Sequence, residues 1–213
     1  ALHIATNAHQ QTSVNSFAKE SQHDSIYCFG SVFPFAENAI EEMHRIKEMG
    51  LYGIKLHPDY QEFFIGDEAA LPIYAEAERL GLPVAFHTGR DPLSPNLVHC
   101  PSDVLGKIAN LFPRLTIIAA HMGGMETPEL AAKHLAGKKN VYFDTAFASH
   151  FLDAATFTEL VKLHGADRVL FATDCPWSTA PAEKALLDAA GLTPAERERI
   201  AYGNAEELFD ITV

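Results

Sequence analysis

The sequence predicts an α/β fold of the (β/α)8 (TIM) barrel class that lacks its first strand and helix. Short apolar segments alternate with helical patterns, which indicates a parallel sheet covered by helices. Polar side chains close several of the apolar segments, as they do where a barrel builds its active site. The 213 residues fall about one strand–helix unit short of the ~250 typical of a barrel. Because the chain opens on a strand, we expect the missing unit to be the first.

Seven segments rich in β-branched or aromatic residues and bounded by turn residues are the predicted strands. They are residues 2–6, 25–33, 53–58, 83–89, 115–121, 140–145 and 169–173. An open doubly wound sheet is the alternative fold. It predicts a glycine-rich turn after an early strand, which this sequence does not have. We therefore expect one barrel domain over residues 1–213, with strands two to eight and the C-terminal helices.

Helices are predicted between and after these strands. The periodicity favours residues 36–49, 71–80, 102–111, 153–163 and 182–190, starts at 127, 193 and 204, and a weak helix within 7–24. Ser102 and Thr127 are predicted N-caps. Thr193 and Glu196 have the spacing of a capping box with Pro194 between them. Asn204 is the predicted N-cap of the last short helix.

Composition excludes several classes of function. A net charge of −12 argues against nucleic acid or an anionic membrane as partner. No apolar run approaches the ~20 residues of a membrane helix, and no signal-peptide pattern opens the chain. Three scattered cysteines favour a reducing, cytoplasmic location. Eleven histidines in an acidic chain favour a divalent metal.

The strongest candidates for a metal site are His87 and Asp174, each at the end of an apolar strand. A buried polar group is costly unless something pairs with it. A catalytic zinc uses a few nitrogen and oxygen ligands and leaves one position for water, so zinc is the ion we expect. His121, which precedes two glycines, is the candidate catalytic acid, base or electrophile. Asp174 is the second catalytic candidate.

Four further residues are candidates for substrate binding: Lys55, His57, Arg90 and Trp177. Strand alternation places Lys55 and His57 on one face. Lys55 could hold a substrate carboxylate, pair with Asp174 or, if carboxylated, bridge two metals. The structural alternative to a functional role is a plain ion pair. Arg90 could grip an anion or lie solvated on a turn. Trp177 could wall the pocket or only pack the loop.

Two groups of residues have structural roles in this interpretation. Asp144 could accept a hydrogen bond from a ligating histidine or act as a cap. The remaining histidines, among them His99 and His164, are predicted to lie at the surface.

These strand ends resemble the amidohydrolase superfamily, in its amidohydrolase-related branch of ACMSD-like enzymes. The resemblance rests on Gly-Ile-Lys55-Leu-His57-Pro, Phe-His87-Thr-Gly, Ala-His121-Met-Gly-Gly and Phe-Ala-Thr-Asp174-Cys-Pro, which occur in the family's order. The closing segment around Asn204 is also similar. The family's first strand supplies a His-x-His metal pair, and this sequence has none.

The resemblance implies a metal-dependent barrel enzyme in which His87 and Asp174 bind metal and His121 is catalytic. We expect a hydrolase that uses metal-activated water on an amide, ester or lactone of a small molecule. The alternatives are a non-oxidative decarboxylase of a small aromatic or unsaturated carboxylic acid, with Arg90 and Lys55 anchoring the carboxylate, and a non-catalytic barrel. Unpaired strand edges favour association, so we expect a homo-oligomer.

Overall fold

The centre of the molecule is a parallel β-sheet, seen in a computed structural model in which residues 1–212 are described. Its five strands lie side by side in chain order. They are β1 (Ile54–Leu56), β2 (Val84–Phe86), β3 (Ile117–Ala119), β4 (Val141–Asp144) and β5 (Val169–Leu170). The register aligns Lys55 with Ala85 and Ala85 with Ile118. The predicted parallel α/β architecture is thereby confirmed.

Nine α-helices accompany the sheet in the described residues. They are α1 (Gln11–Ser21), α2 (Ala39–Glu48), α3 (Leu71–Leu80), α4 (Ser102–Leu111), α5 (Pro128–His134), α6 (Ala154–His164), α7 (Ala180–Ala189), α8 (Pro194–Glu198) and α9 (Asn204–Phe209). A π-helical turn, Arg199–Gly203, joins the last two. No helix in the described part of the chain is long and apolar enough to cross a membrane.

The two faces of the sheet bury different kinds of side chain, because successive strand residues point to opposite sides. One face joins the main apolar core beneath the helices through Ile54, Leu56, Val84, Phe86, Ile117, Ala119, Val141, Phe143 and Val169. The other face has a small apolar cluster of Phe29, Ala85, Ile118 and Leu170, against which Leu208 and Phe209 of α9 pack. Lys55 lies in register with this second face, as alternation predicts.

The first two predicted strands are wrong as regular strands. Residues 2–6 and 25–33 contribute isolated bridges instead: Leu2 to Phe29 and Gly30 to Ile54 are parallel, and His23 to Ile26 is antiparallel. Elsewhere in these segments, side chains form hydrogen bonds with backbone groups that would otherwise pair with a neighbouring strand. The amide of Asn15 in α1 donates to the Ser31 carbonyl (2.8 Å) and accepts from its N–H (2.7 Å).

The last strand and the caps also differ from prediction. The strand expected at 169–173 ends at Leu170, because the Phe171 N–H bonds to the Ile200 carbonyl. Ser102 is the first helical residue rather than a cap, and its hydroxyl donates to the Gly123 carbonyl. Thr127 makes no side-chain cap bond, although α5 begins right after it.

Both later helix starts are confirmed, but only one of the two predicted caps is formed. The capping box of Thr193 and Glu196 is formed. The Asn204 amide donates to the carbonyls of Ala166 and Val169 instead of capping α9. The homo-oligomer stays a prediction.

Candidate active site

A cavity of about 650 Å³ lies at the carboxyl ends of the strands. Its lining includes most of the predicted site residues: Lys55, His57, His87, His121, Asp144, Asp174 and Trp177. The rest of its wall is mainly apolar and includes Tyr60, Leu93, Met125 and Phe147. The sheet thus gathers the chain's candidate chemical groups at one end, where Lys55 and the histidines are buried and most of the exposed rim is apolar.

Strand alternation carries His57 and His87 into this cavity. Leu56 and Phe86 point into the helix-covered core, so the residue that follows each of them faces the opposite side. The same rule would send His121, two residues after Ala119, away from the cavity. A left-handed turn corrects its direction: φ is +57° at His121 and +54° at Met122.

Strained backbone recurs around the cavity. Asp174 has φ +59° and Phe147 has φ +60°, a region that residues other than glycine rarely occupy. Such conformations cost about 1–3 kcal/mol each and cluster at functional sites. With His121, three cavity residues on three different strand exits show this feature.

His57, His87 and Asp91 form a compact group of possible metal ligands whose donor atoms lie within 4.8 Å of one another. Oδ2 of Asp91 is 3.7 Å from Nε2 of His57 and 3.6 Å from Nε2 of His87. The rings of His57 and His87 stack at 4.3 Å between centroids. The ring of Tyr60 stacks on that of His57 at 3.7 Å. All three ligand candidates are buried.

His121 extends this group through a hydrogen bond to His87. Its Nε2 lies 2.9 Å from Nδ1 of His87, and its Nδ1 donates to the Ala146 carbonyl at 2.9 Å. Nε2 of His87 donates to the Arg90 carbonyl at 3.0 Å. Because carbonyls only accept, the three contacts together need three ring hydrogens. Two neutral imidazoles hold only two.

Burial governs the protonation of these groups. Burial, with the charges of Lys55 and His121 acting in the same direction, lowers the pKa of His57 from 6.5 to about 2. Burial also takes the pKa of His87 well below its usual value. It raises the pKa of Asp91, and the nearby Asp59 carboxylate adds to that rise, while the Leu93 N–H opposes it. The two imidazoles are therefore neutral near pH 7.

This donor set fits a divalent cation. Two neutral imidazoles and a carboxylate are the ligands that zinc and related ions use in catalytic sites with open positions. Metal binding requires neutral histidine and ionised carboxylate. A cation bound to Nε2 of His87 would replace the hydrogen on that nitrogen. The contacts of His87 and His121 would then need only two ring hydrogens, the number that two neutral imidazoles supply. His57 thus joins His87 as a ligand candidate.

Lys55 lies beneath the cavity with its amine buried. Burial lowers its pKa, and the carboxylates of Asp144 and Asp174 oppose that change. No ion pair of Lys55 occurs among the described residues within 4.0 Å, so the plain ion-pair alternative gains no support. Asp144 acts as a local cap, since its Oδ1 accepts from the backbone N–H groups of His121 and Ala146.

The other predicted residues divide between the cavity and the surface. Asp174 and Trp177 line the rim and are exposed. Asp174 is outside the compact ligand group, and its metal-binding role stays a prediction. Arg90 does not line the cavity; its guanidinium lies 3.6 Å from Glu126 in an exposed pair. Only the Arg90 carbonyl reaches the site.

Sequence reasoning missed Asp91 and misplaced two histidines. Asp91 lies in an irregular segment after β2, and its spacing of four residues from His87 was the available signal. His99 is buried and bonded to Asp59, and His164 is buried against Phe143. The surface prediction for His99 rested on its polar or turn segment, and that for His164 on its position in a helix with no visible partner.

Comparison with known proteins identifies the family of the chain. A profile of the amidohydrolase family matches residues 3–211, and the chain therefore belongs to that family. One curated relative is the γ-resorcylate decarboxylase of a Polaromonas species, 24% identical over 82% of this chain and 67% of the relative. Another is the 2-amino-3-carboxymuconate-6-semialdehyde decarboxylase of Dictyostelium discoideum, 24% identical over 82% of this chain and 58% of the relative.

Solved structures support the barrel-type fold. The 5-carboxyvanillate decarboxylase of Sphingomonas paucimobilis aligns with a TM-score of 0.77 at 18% identity, over 96% of this chain and 73% of its own. A dihydroxybenzoic acid decarboxylase from Polaromonas aligns with a TM-score of 0.70 at 19% identity, over 95% of this chain and 75% of its own. That structure contains manganese and the inhibitor 2-nitroresorcinol.

Proposed function

We propose that this amidohydrolase-family chain carries the site of a metal-dependent, non-oxidative decarboxylase of a small aromatic carboxylic acid. The observation that carries the proposal is the division of one cavity into a charged floor and an apolar rim. The floor holds the Lys55 ammonium and the imidazole–carboxylate group, and the rim holds Tyr60, Leu93, Phe147 and Trp177. An aromatic acid has the matching distribution of charge and apolar surface.

The floor binds the polar end of the substrate. Lys55 has a buried ammonium without an ion-pair partner among the described residues, so it anchors an anionic oxygen by a charge-assisted hydrogen bond. A divalent cation held by His57, His87 and Asp91 would supply Lewis-acid stabilisation of substrate oxygens. The rim residues orient the ring and exclude water from the floor.

Decarboxylation also requires a proton transfer at this site. Carbon dioxide leaves with its two oxygens, and the electron pair of the broken carbon–carbon bond stays on the ring carbon. A proton must then bond to that carbon. We assign its delivery to Asp174, whose exposed position at the rim allows exchange with solvent, and we assign His121 to hold the substrate oxygen by hydrogen bonding.

The relatives favour decarboxylation over the hydrolysis that we expected first. Both curated relatives are named as decarboxylases, and a related solved structure was determined with 2,6-dihydroxybenzoate. Manganese in a related structure makes Mn²⁺ the first ion to test, with Zn²⁺ beside it. Cytoplasmic location and the absence of nucleic-acid and membrane partners stay predictions.

The test is product analysis with the purified protein and Mn²⁺ or Zn²⁺. We expect metal-dependent release of carbon dioxide from a hydroxybenzoate such as 2,6-dihydroxybenzoate or 5-carboxyvanillate. Hydrolysis of a lactone or ester without release of carbon dioxide from any aromatic acid would overturn the proposal in favour of a hydrolase. Metal binding without turnover of either substrate class would favour a non-catalytic barrel.

A further inference from the structure

The segment that carries Asp91 has little regular structure of its own. Between Gly89 and Cys100, which bridge to each other, it contains neither helix nor strand. Pro92 and Pro95 lack a backbone N–H and cannot donate to a neighbouring strand or turn. Inside the segment, the Leu93 N–H donates to Oδ1 of Asp91 at 2.7 Å and the Ser94 N–H donates to the Asp91 carbonyl at 3.1 Å. The position of this short turn relative to His57 then depends on contacts from outside the segment.

Asp59 provides such contacts from a turn two residues after His57. Its Oδ1 accepts a hydrogen bond from the Ser94 hydroxyl and another from Nδ1 of His99, at 2.8 Å for the histidine. Ser94 and His99 both belong to the segment that begins at Asp91. One carboxylate thereby joins the segment carrying His57 to the segment carrying Asp91.

The environment of Asp59 is unusual for a structural carboxylate. Its side chain is fully buried, and its Oδ2 has no hydrogen-bond partner within the described structure. A buried carboxylate oxygen without a partner costs stability. An uncharged residue could fill this space at lower cost, which indicates that the two bonds at Oδ1 serve a local purpose.

We propose that Asp59 is a positioning residue that sets the spacing of His57, His87 and Asp91 and thereby the affinity of the site for a divalent cation. The proposal rests on the metal dependence in the proposed function. Asp59 acts through Ser94 and His99 and is not itself a ligand. Outer partners that orient metal ligands change metal affinity by about 10–100-fold in other proteins.

The experiment is calorimetric titration of the metal-free protein with Mn²⁺. We expect Asp59→Ala to weaken Mn²⁺ binding by at least about tenfold. Asp59→Asn keeps an oxygen acceptor for Ser94 and His99 and should retain most of the affinity. Ser94→Ala and His99→Gln each disturb one of the two bonds and should give intermediate losses, which keeps the test decisive if Asp59→Ala does not fold.

Glu42→Ala is the matched control. Glu42 is also a buried carboxylate that accepts several hydrogen bonds, but it joins Asn15 and Thr12 of α1 to Arg45 of α2, away from the cavity. We expect it to lower the thermal stability while the Mn²⁺ affinity stays unchanged. Equal loss of Mn²⁺ affinity in Glu42→Ala and Asp59→Ala would show a general loss of structure and overturn the proposal.

Two other outcomes separate this proposal from the proposed function. Wild-type affinity in Asp59→Ala would overturn the positioning role even if the enzyme decarboxylates aromatic acids. The expected affinity series in a protein that releases no carbon dioxide would support the positioning role and reject decarboxylation. Failure of the wild-type chain to bind Mn²⁺ would reject both.

Discussion

His87 and His164 are both buried histidines, but they lie on opposite faces of the sheet and differ in what surrounds them. His164 in α6 stacks on Phe143 at 3.8 Å, and its Nε2 donates to the Val141 carbonyl. His87 contacts His57 and His121, lies beside Asp91 and lines a cavity. Burial lowers the pKa of both rings.

The comparison shows that neither burial nor a lowered pKa marks a functional histidine by itself. The distinguishing features are ionisable neighbours and access to open space. His164 has an aromatic ring on one face and a backbone carbonyl at one nitrogen, which are the contacts of a core residue. Four expected results would test this distinction.

The largest expected effect is on activity. His87→Asn should reduce metal-dependent decarboxylation by at least about 100-fold, because a lost ligand costs no less than a lost outer partner. His164→Asn should leave kcat/KM within about threefold, since its ring touches no cavity group. Steady-state kinetics with 2,6-dihydroxybenzoate measures both variants. Similar losses of activity in the two variants would show that the two buried histidines do not differ in function.

The second-largest expected effect is on the pH dependence of the free energy of unfolding. The pKa of His164 is about 4 in the folded protein, against 6.5 in the unfolded chain. The stabilising effect of keeping this ring neutral is complete above pH 6.5 and is lost as the pH falls towards 4, because the unfolded chain takes up the proton first. Between pH 7 and 4.5 the loss is about 2 kcal/mol.

Urea unfolding of wild type and His164→Gln at both pH values isolates this contribution. Glutamine keeps an N–H for the Val141 carbonyl but does not titrate in this range. We expect the free energy of unfolding to fall by about 2 kcal/mol less in the variant than in wild type. Parallel pH profiles for the two proteins would contradict the assignment.

Substitution of Lys55, on the cavity face, is expected to raise the free energy of unfolding. Lys55→Met removes a buried charge, so the metal-free protein should gain about 1 kcal/mol of stability. The KM for an aromatic acid should rise about tenfold, because a charge-assisted hydrogen bond is lost. Urea unfolding and kinetics report the two changes separately. A less stable Lys55→Met protein would show that the ammonium is a structural group after all.

The smallest expected effect is at the rim. Trp177 is 69% exposed and lines the cavity, and Leu163 of α6 is 58% exposed on the helix side. Trp177→Ala should raise KM about threefold through lost ring contact, while Leu163→Ala leaves KM unchanged. Neither should shift the free energy of unfolding by more than about 0.5 kcal/mol. An unchanged KM in Trp177→Ala would show that the indole only covers the loop.

Strand alternation and helix periodicity were sufficient to predict much of this fold. They placed Lys55 and His57 on one face and located the ends of α3 and α4. They could not predict the loss of the first two strands, because side-chain hydrogen bonds from Asn15 to the backbone of Ser31 depend on tertiary packing. Nor could alternation place His121, whose direction depends on a left-handed turn that favours glycine but here occurs at histidine and methionine.

The candidate site was predictable where a residue follows a strand directly. His57 and His87 met this condition, whereas Asp91 and Asp59 lie in irregular segments whose course no periodicity specifies. Arg90 was predicted from its distance along the chain to His87, but its guanidinium turns to Glu126 at the surface. Sequence distance alone does not give side-chain direction in a loop.

The packing of α9 has a consequence for biosynthesis. Phe209 meets Phe29 at 5.6 Å and Tyr52 at 6.4 Å, so a helix made late in translation covers aromatic residues made early. While a ribosome is still extending the polypeptide, that apolar surface has no cover and is open to chaperones or to neighbouring nascent chains. A stop codon before residue 204 should therefore yield a product prone to aggregation, even though every candidate ligand has already been synthesised.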